Sequence, residues 1–444
     1  VDIHHLLPVT AGRTPSGCLS IAGHDVVELA RQYGTPLYLY DAETVRRQVQ
    51  AVRDGLKSCY PGLSEVTYAA KAYFSLGLAR YMVEWGLGVD VVSLGEMGMA
   101  RRAGFTPGRV HLHGNNKSPE ELLAAVKWGV QAVVIDSLEE LEFLEGLVRE
   151  NTAQSGHKAA YPPVRVWLRI SPGVSVDTHA YMQTAHHSTK FGLPVIGGQA
   201  SEAIRRAKSS RYLKLTGLHT HLGSNFFEAE PYRAAIASLM ALAEENDFIP
   251  EELSPGGGWG VPYVPEQAEN SPAAWLETVS SAVQSECEKR SWPLPKLIVE
   301  PGRRLVARAG VAVYTVGTTK TSGDGTHFVA VDGGMADNPR PALYEARYTA
   351  LLANRPDEEP GQKVCVAGKY CESGDLLIPE VALPQAKRGD TLVIPASGAY
   401  HLSMSSNYNL AARPAVLWLE PGQVEVFQKR EQPEEAGWWV DAQV

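Results

Sequence analysis

In the stretch VTYAAKAYFS (66–75), a small apolar run ends in Lys71, and a helix-like pattern, SLGLARYMVEWG (75–86), follows almost at once. Lysine is among the residues least often fully buried. A core strand that closes on one therefore marks a place where the core stops and chemistry can begin. Reading onward from Lys71, short apolar strands and helical stretches alternate. The strands are VTYAAK (66–71), VDVVS (89–93), VHLHG (110–114), AVVID (132–136), VRVWLRI (164–170), LTGLHTHLG (215–223), ELSPGGG (252–258) and KLIVEPG (296–302).

Between these strands lie patterns such as GEMGMARRAG, SPEELLAAVKWG, SLEELEFLEGLVRE, PYRAAIASLMALAEEN and SPAAWLETVSSAVQSECEK. Ser118-Pro119-Glu120-Glu121 reads as a helix start: a Ser cap, Pro in the first turn, acids against the dipole. The segment NTAQSGHKAAYPP (151–163) reads as a loop. Eight β-then-α units over about 240 residues predict a (β/α)₈ TIM-type barrel, with a doubly wound open sheet as the alternative. Polar residues favour the barrel. Lys71, His113, Asp136, Arg169, His221, Gly256 to Gly258 and Glu300 stand at or near the C-terminal ends of their strands, the rim on which barrel enzymes build active sites.

After Glu300 the texture changes. VARAGVAVYTVGTTK, THFVAVDGGM, KVCVAGKYC and DTLVIPASGAY are β-runs divided by glycine-rich turns. The reading is an N-terminal segment (1–41) that joins an all-β domain through TPLYLYD, a barrel (42–303), and a C-terminal β-domain (304–444).

Composition narrows the function. The chain has 444 residues, 44% of them hydrophobic and 20% charged, which suits a soluble protein with a full core. A net charge of −9 without any basic block argues against nucleic acid or an anionic membrane as partner. Five scattered cysteines with no C-x-x-C pair argue against disulfides or structural zinc and for a reducing cytoplasm. No apolar run approaches the length of a membrane span. The opening VDIHHLLPVTAG lacks the charged-then-apolar pattern of a secretory signal.

Lys71 is either a solvated rim residue or a Schiff-base lysine, whose amine becomes nucleophilic when partly desolvated. The glycines of GGGWG (256–260) and the EPGR turn (Glu300 to Arg303) follow the seventh and eighth strands, where barrels commonly bind phosphate. HTHLGSN puts His219 and His221 on one face of a strand. Zinc would need a third ligand that the spacing does not supply. A histidine there can instead lie on an aromatic cofactor ring, with Gly223 and Ser224 near a phosphate. A lysine, a phosphate cradle, a stacking histidine and a carboxylate meet the needs of pyridoxal phosphate. In the β-domain, Cys371 of GKYCESGDLL is either an inert buried thiol or a reactive one, and Asp375 reads as turn chemistry. Arg340, unpaired in sequence near a Gly-Gly-Met turn, suits a carboxylate.

The chain resembles the fold-type III pyridoxal phosphate-dependent amino-acid decarboxylases through nearly its whole length. The resemblance rests on YAAKA, DVVSLGE, GNNKS, HSTKFG, HTHLGS, GGG, EPGR, VDGGM-x-DNPRPALY, CESGD and SSNYN, in that order. It implies a barrel paired with a β-domain in a homodimer whose active sites are shared. It makes Lys71 the cofactor-bearing lysine and His221 the ring-stacking histidine, with Glu300 facing the pyridine nitrogen. Ser224, Gly256, Gly257, Gly258, Gly302, Arg303 and Tyr408 would hold the phosphate. Arg303, Arg340, Tyr344, Glu372 and Tyr408 would contact the substrate, and Cys371 would donate a proton from the partner chain, as Glu372 would also arrive from it. No metal is implied.

The branch it most resembles implies decarboxylation of meso-2,6-diaminopimelate at its D-centre, giving L-lysine and CO₂. Carboxynorspermidine, arginine or a carrier-bound glutamyl group are the alternatives. Asn225 stands where the family usually has Gln, and TAHHST (184–189) where TG is common; both bear on substrate contacts.

Overall fold

A computed structural model describes residues 3–154, 162–174, 189–269, 271–432 and 434. The chain divides into two compact units: Gln50–Gly260 with Asn270–Gly302, and Val1–Val49 with Val261–Glu269 and Arg303–Val444. Residues 42–49, 261–269 and Arg303, expected within the barrel, thus group with the β-rich unit. The helix Ala42–Cys59 runs through the first of these boundaries, so no turn in the sequence marks it.

The first unit is a barrel. Its strands are β1 (Ser64–Ala69), β2 (Gly88–Val91), β3 (Val110–Leu112), β4 (Ala132–Ile135), β5 (Val164–Ser171), β6 (Leu213–His219), β7 (Glu252–Gly256) and β8 (Lys296–Val299). Each pairs with the next in parallel, and β8 pairs with β1 through Leu297 opposite Ser64. That last ladder closes the sheet and excludes the doubly wound alternative. Apolar side chains fill the barrel, among them Ala132, Val134, Trp167 and Ile298. Toward the strand starts, Glu252 is buried but fully engaged, accepting from Arg165 (2.9 Å), Trp167 (2.8 Å) and Gln131 (2.6 Å).

Local chemistry sets the helices. Pro119–Trp128 begins with a complete capping box: Ser118 accepts from the Glu121 amide, and the Glu121 carboxylate accepts from the Ser118 amide. Leu76–Glu84 starts at Ser75, whose hydroxyl accepts from the Leu78 amide at 3.2 Å. Leu138–Gln154 is longer than the sequence reading allowed, taking in 151–154 of the expected loop. Much of the rest of that loop lies outside the described residues, as do His187 and Ser188 of HSTKFG and most of TAHHST.

In the β-rich unit, Gly310–Thr321 is the organising strand. It pairs antiparallel with Leu37–Asp41, His327–Val331 and Thr391–Ile394. Leu37–Asp41 lies in turn parallel to Ala415–Glu420, so the N-terminal segment is an interior strand of a sheet otherwise built from the C-terminal half. Leu37, Leu39, Val311, Val313, Val393, Leu417 and Leu419 share one apolar core.

Candidate active site

Lys71 sits in a single 3₁₀ turn, Ala70–Ala72, directly after β1. It is exposed, while Ala69, Ala70, Ala72 and Tyr73 on either side are buried. The turn is anchored from below, the Tyr68 hydroxyl donating to the Tyr73 carbonyl at 2.6 Å. That exposure fits a rim lysine, one of the two readings the sequence left open, and leaves the amine accessible to a cofactor. Its charge reaches His221 and Glu96, the latter from the helix Leu94–Ala103.

Glu300 follows β8 and is buried. His219 Nε2 lies 3.0 Å from one carboxylate oxygen, and Ser254 Oγ donates to the other at 2.5 Å. Burial alone would push this carboxyl up, but His219 and His113, with the hydrogen bonds from His219 and Ser254, hold it well below the usual range. Burial pulls His219 down while the carboxylate pulls it back up, and its Nε2 is the donor to that anion. His113 packs edge-on against His219, with ring centroids 5.0 Å apart, and its Nε2 lies 3.4 Å from Asp90. His113, His219 and Glu300 bring ligand-type atoms within 4.8 Å of one another, a grouping that leaves out His221 and that sequence spacing had not revealed.

His219 and His221 are not on one strand. β6 ends at His219, and His221 belongs to the following loop. There its Nδ1 accepts the Gly257 amide at 3.3 Å, and burial together with the charges of Lys71 and Arg169 keeps the ring neutral. That loop and the glycine run after β7 are laced together: Phe226 N–H donates to Gly258 O (3.2 Å), and Gly260 N–H donates to Phe226 O (2.8 Å). A Cβ on Gly257 would fall 2.2 Å from the Glu300 carbonyl, and one on Gly258 2.3 Å from the Gly223 carbonyl. The glycines therefore serve close packing between the loops that follow β6, β7 and β8 as well as any anion. Gly302 abuts the end of β1, where a Cβ would meet Ala69 O at 3.0 Å.

At the end of β4, Asp136 accepts the Gly192 amide (3.0 Å) and lies 3.7 Å from Arg169 of β5, whose guanidinium covers Phe191 at 4.4 Å. This fixes the described part of the KFG motif to the barrel rim.

The β-rich unit carries its own polar cluster. Arg303 and Arg340 are both buried, at 6% and 2% exposure. Arg303 donates to the Tyr263 hydroxyl (2.6 Å) and lies 4.6 Å over the Tyr400 ring. Arg340 lies 4.6 Å over the Tyr263 ring and donates to the Tyr348 hydroxyl. It is not the unpaired arginine the sequence suggested. Burial would raise the Tyr263 phenol, but the two guanidiniums outweigh it and bring it below its ordinary value. Tyr344, half-buried, stands at the other end of the short helix Arg340–Tyr344.

Cys371, Glu372, Ser373 and Gly374 are all exposed, which removes the inert buried-thiol reading of Cys371. Asp375 beneath them is buried and accepts from the amides of Met335 (2.6 Å) and Tyr370 (2.8 Å), so it staples the turn in place. Tyr408, 39% exposed, reaches the Cys371 carbonyl at 3.5 Å. Tyr263, Tyr348, His401, Asp90 and Glu96 are structural partners that the sequence reading did not single out.

The barrel residues fit pyridoxal phosphate on their own geometry. There is an exposed primary amine after the first strand, a buried carboxylate kept anionic after the eighth, and glycine-laced loops after the sixth and seventh. Comparison with known proteins agrees. Residues 42–307 match the family model described as the pyridoxal-dependent decarboxylase, pyridoxal binding domain. The diaminopimelate decarboxylase of Bacillus subtilis (strain 168) is 39% identical over 427 residues, covering 95% of each chain. That of Actinosynnema pretiosum subsp. auranticum is 40% identical, covering 95% of this chain and 92% of the other. The crystal structure of diaminopimelate decarboxylase from M. jannaschii in co-complex with L-lysine superposes with a TM-score of 0.87 at 29% identity, covering 96% of both chains. On this match in sequence, fold and site, the chain belongs to the pyridoxal-dependent decarboxylases, and the relatives it matches over nearly its full length are diaminopimelate decarboxylases.

Proposed function

We propose that this chain catalyses pyridoxal phosphate-dependent decarboxylation of meso-2,6-diaminopimelate at its D-centre, releasing CO₂ and L-lysine. The observation that carries the reading is the buried Glu300 carboxylate, held anionic by His219 and Ser254 at the end of β8, the strand that pairs with the one leading to Lys71. An anion there keeps a proton on a pyridine nitrogen, as decarboxylation requires. A cation would suit a racemase instead.

The cofactor, when bound, supplies an electron-poor ring that accepts the electron pair left as CO₂ departs. The protein's residues do the rest. Lys71 Nζ would hold the cofactor between turnovers, and neutral His221 would lie against its ring. Ser224, Gly256, Gly257, Gly258, Gly302, Arg303 and Tyr408 are the proposed phosphate contacts. Arg303, Arg340, Tyr344 and Tyr408 are the proposed substrate contacts, with Glu372 taking the distal ammonium. Cys371 Sγ delivers the proton that replaces the carboxylate.

We further propose a homodimer in which Cys371 and Glu372 serve the partner's site. The exposed Cys371–Gly374 turn, with Tyr408 and Leu410 exposed at 39% and 56%, supports that reading. All five cysteines are unpaired, which fits a reducing cytoplasm. Among the described residues no helix is long and apolar enough to cross a membrane.

Incubation with meso-diaminopimelate, followed by chiral analysis of the amino acid formed and capture of CO₂, tests the assignment. L-lysine with stoichiometric CO₂ is expected. No turnover here, with turnover of carboxynorspermidine, would replace the substrate while keeping the chemistry.

A further inference from the structure

Behind Arg340 the β-rich unit holds a continuous run of buried hydrogen bonds that the reaction itself does not use. Arg340 Nη1 donates to the Tyr348 hydroxyl, and that hydroxyl lies 2.7 Å from His401 Nε2. On the far side of the ring, His401 Nδ1 lies 3.2 Å from the Tyr38 hydroxyl. Tyr38 donates to Asp337, at 3.2 Å from both its backbone carbonyl and carboxylate Oδ2, and Tyr314 donates to the same Oδ2 at 2.5 Å. Asp337 Oδ1 accepts the Gly334 amide at 2.9 Å. Arg340, Tyr348, His401, Tyr38, Tyr314 and Asp337 are all buried.

Proton counting gives this run one direction. A guanidinium can only donate, so the Tyr348 oxygen is an acceptor toward Arg340, and its single proton is free to point at His401. Tyr38, which also hydrogen-bonds with Tyr314, has one proton; directed at Asp337, it leaves the oxygen to accept from His401 Nδ1. The imidazole therefore carries its proton on Nδ1 and accepts at Nε2. The opposite tautomer would give Tyr348 two donors and no acceptor for its own proton, and would leave Asp337 with one phenol instead of two. A buried group without its partner costs more than the bond itself contributes, so the directed arrangement is favoured. Burial and the charges of Arg340 and Arg303 also keep the ring neutral, which the count requires.

We propose that His401 is a positioning residue for Arg340: as the neutral Nδ1–H tautomer it links the guanidinium, through Tyr348, to the Asp337 carboxylate and fixes the orientation in which Arg340 meets a substrate carboxylate. This rests on the reading of Arg340 as a substrate contact. The Tyr263 and Tyr348 rings flank the guanidinium, with centroids 4.6 and 5.6 Å from it, and the Tyr263 hydroxyl also engages it. The bond to Tyr348 adds a second fixed direction, and the run to Asp337 holds Tyr348. The alternative is that these bonds only satisfy buried polar groups.

Two measurements separate the two. Long-range ¹H–¹⁵N spectra of the ¹⁵N-histidine-labelled holoenzyme, with His401 assigned by its loss in His401→Gln, report the tautomer without any turnover. An Nδ1–H ring is expected; an Nε2–H ring or an imidazolium overturns the proposal. Steady-state kinetics with meso-diaminopimelate then test the link. Tyr348→Phe keeps the ring and removes the hydroxyl, so KM should rise about tenfold or more with kcat changed by less than about threefold. Tyr38→Phe touches neither Arg340 nor substrate, yet should raise KM about threefold. The double variant should match Tyr348→Phe alone within about twofold, because removing the nearer hydroxyl disconnects the farther one. Loss of thermal stability with unchanged KM, or multiplicative KM effects, would leave only a packing role and overturn the proposal. Arg340→Lys separates the layers. If its KM is unchanged, the substrate-contact reading falls and the positioning role falls with it. If its KM rises while Tyr348→Phe has no effect, only the link fails.

Discussion

The Nε2 of His219 lies 3.0 Å from Oε2 of Glu300, and both side chains are buried where β6 and β8 end. The imidazole does for this carboxylate what solvent would do at the surface: it makes the ionised form affordable. Glu300→Gln keeps the shape and removes the charge. We expect cofactor to remain bound and kcat to fall by about 10²- to 10³-fold, the scale of losing one preorganised electrostatic partner. Because the folded-state carboxyl sits below its ordinary value, its charge is lost only as pH drops through that lowered value. Glu300 should therefore contribute no inflection to kcat between pH 6 and about 9, and the Gln variant should be depressed evenly across that range. An inflection that vanishes in the variant would contradict this.

Asp337 behaves in the opposite sense. Burial, with help from Asp375, pushes its carboxyl up to about 6, against the hydrogen bonds from Tyr314, Gly334 and Tyr38. A raised carboxyl contributes stability that is full below the unfolded value and is lost as pH rises through the folded one. Across about two pH units this amounts to about 3 kcal/mol. Denaturant unfolding of the wild type and Asp337→Asn at pH 4 and pH 7 should show the difference between them shift by that order, with the wild type relatively better off in acid. A pH-independent difference would mean the carboxyl titrates normally.

Two glycines should respond oppositely to alanine. Gly257→Ala sets a methyl 2.2 Å from the Glu300 carbonyl, backbone against backbone, so we expect a loss of about 3 kcal/mol and weaker cofactor retention. Gly98 lies on the exposed side of the helix Leu94–Ala103 with nothing within 4 Å of a new Cβ, so Gly98→Ala should stabilise by about 0.5–1 kcal/mol. Thermal melts and cofactor titration read both.

The proposed sharing of active sites predicts complementation. Lys71→Ala and Cys371→Ala should each be inactive alone, and Lys71→Ala should also lose the visible absorbance of the lysine-bound cofactor. Mixed and exchanged, half the dimers are hybrids with one intact site each, so about a quarter of wild-type activity should return. No recovery despite demonstrated exchange would mean that Cys371 acts within its own chain.

The barrel was legible because each of its strands is a short apolar run ending in a polar residue, and that arrangement recurs wherever a core meets a reactive rim. Lys71, Glu300 and the glycine run could be placed from that pattern alone. The partners of Arg340 could not. Tyr263, Tyr348 and His401 come from separate loops, and nothing in GVPYV, ARYTA or GAYHL announces that their side chains converge. Glu252 beside Glu251 looks like half of a surface acid pair, yet it is buried on Arg165, Trp167 and Gln131. His221 was placed on the strand because alternation continues through HTH, while the ladder actually stops at His219. Pattern reports what a segment prefers locally, and contacts between distant segments lie beyond it.

The strand Leu37–Asp41 sits with Gly310–Thr321 on one side and Ala415–Glu420 on the other. During synthesis it leaves the ribosome early, rich in tyrosine and leucine, with both of its edges unpaired. One neighbour arrives some 270 residues later and the other more than 370 later, as the registered partners Gly310 opposite Tyr40 and Ala415 opposite Leu37 require. Such distant pairing is slow and leaves sticky edges exposed meanwhile. The barrel residues that intervene can be assembling during that delay, so the nascent chain would carry a folded barrel on a tethered, unsatisfied strand until its final quarter emerges. A stop near residue 410 would deprive that strand of one neighbour permanently, and such a product should be a substrate for chaperones and proteases even though every residue of the barrel is present.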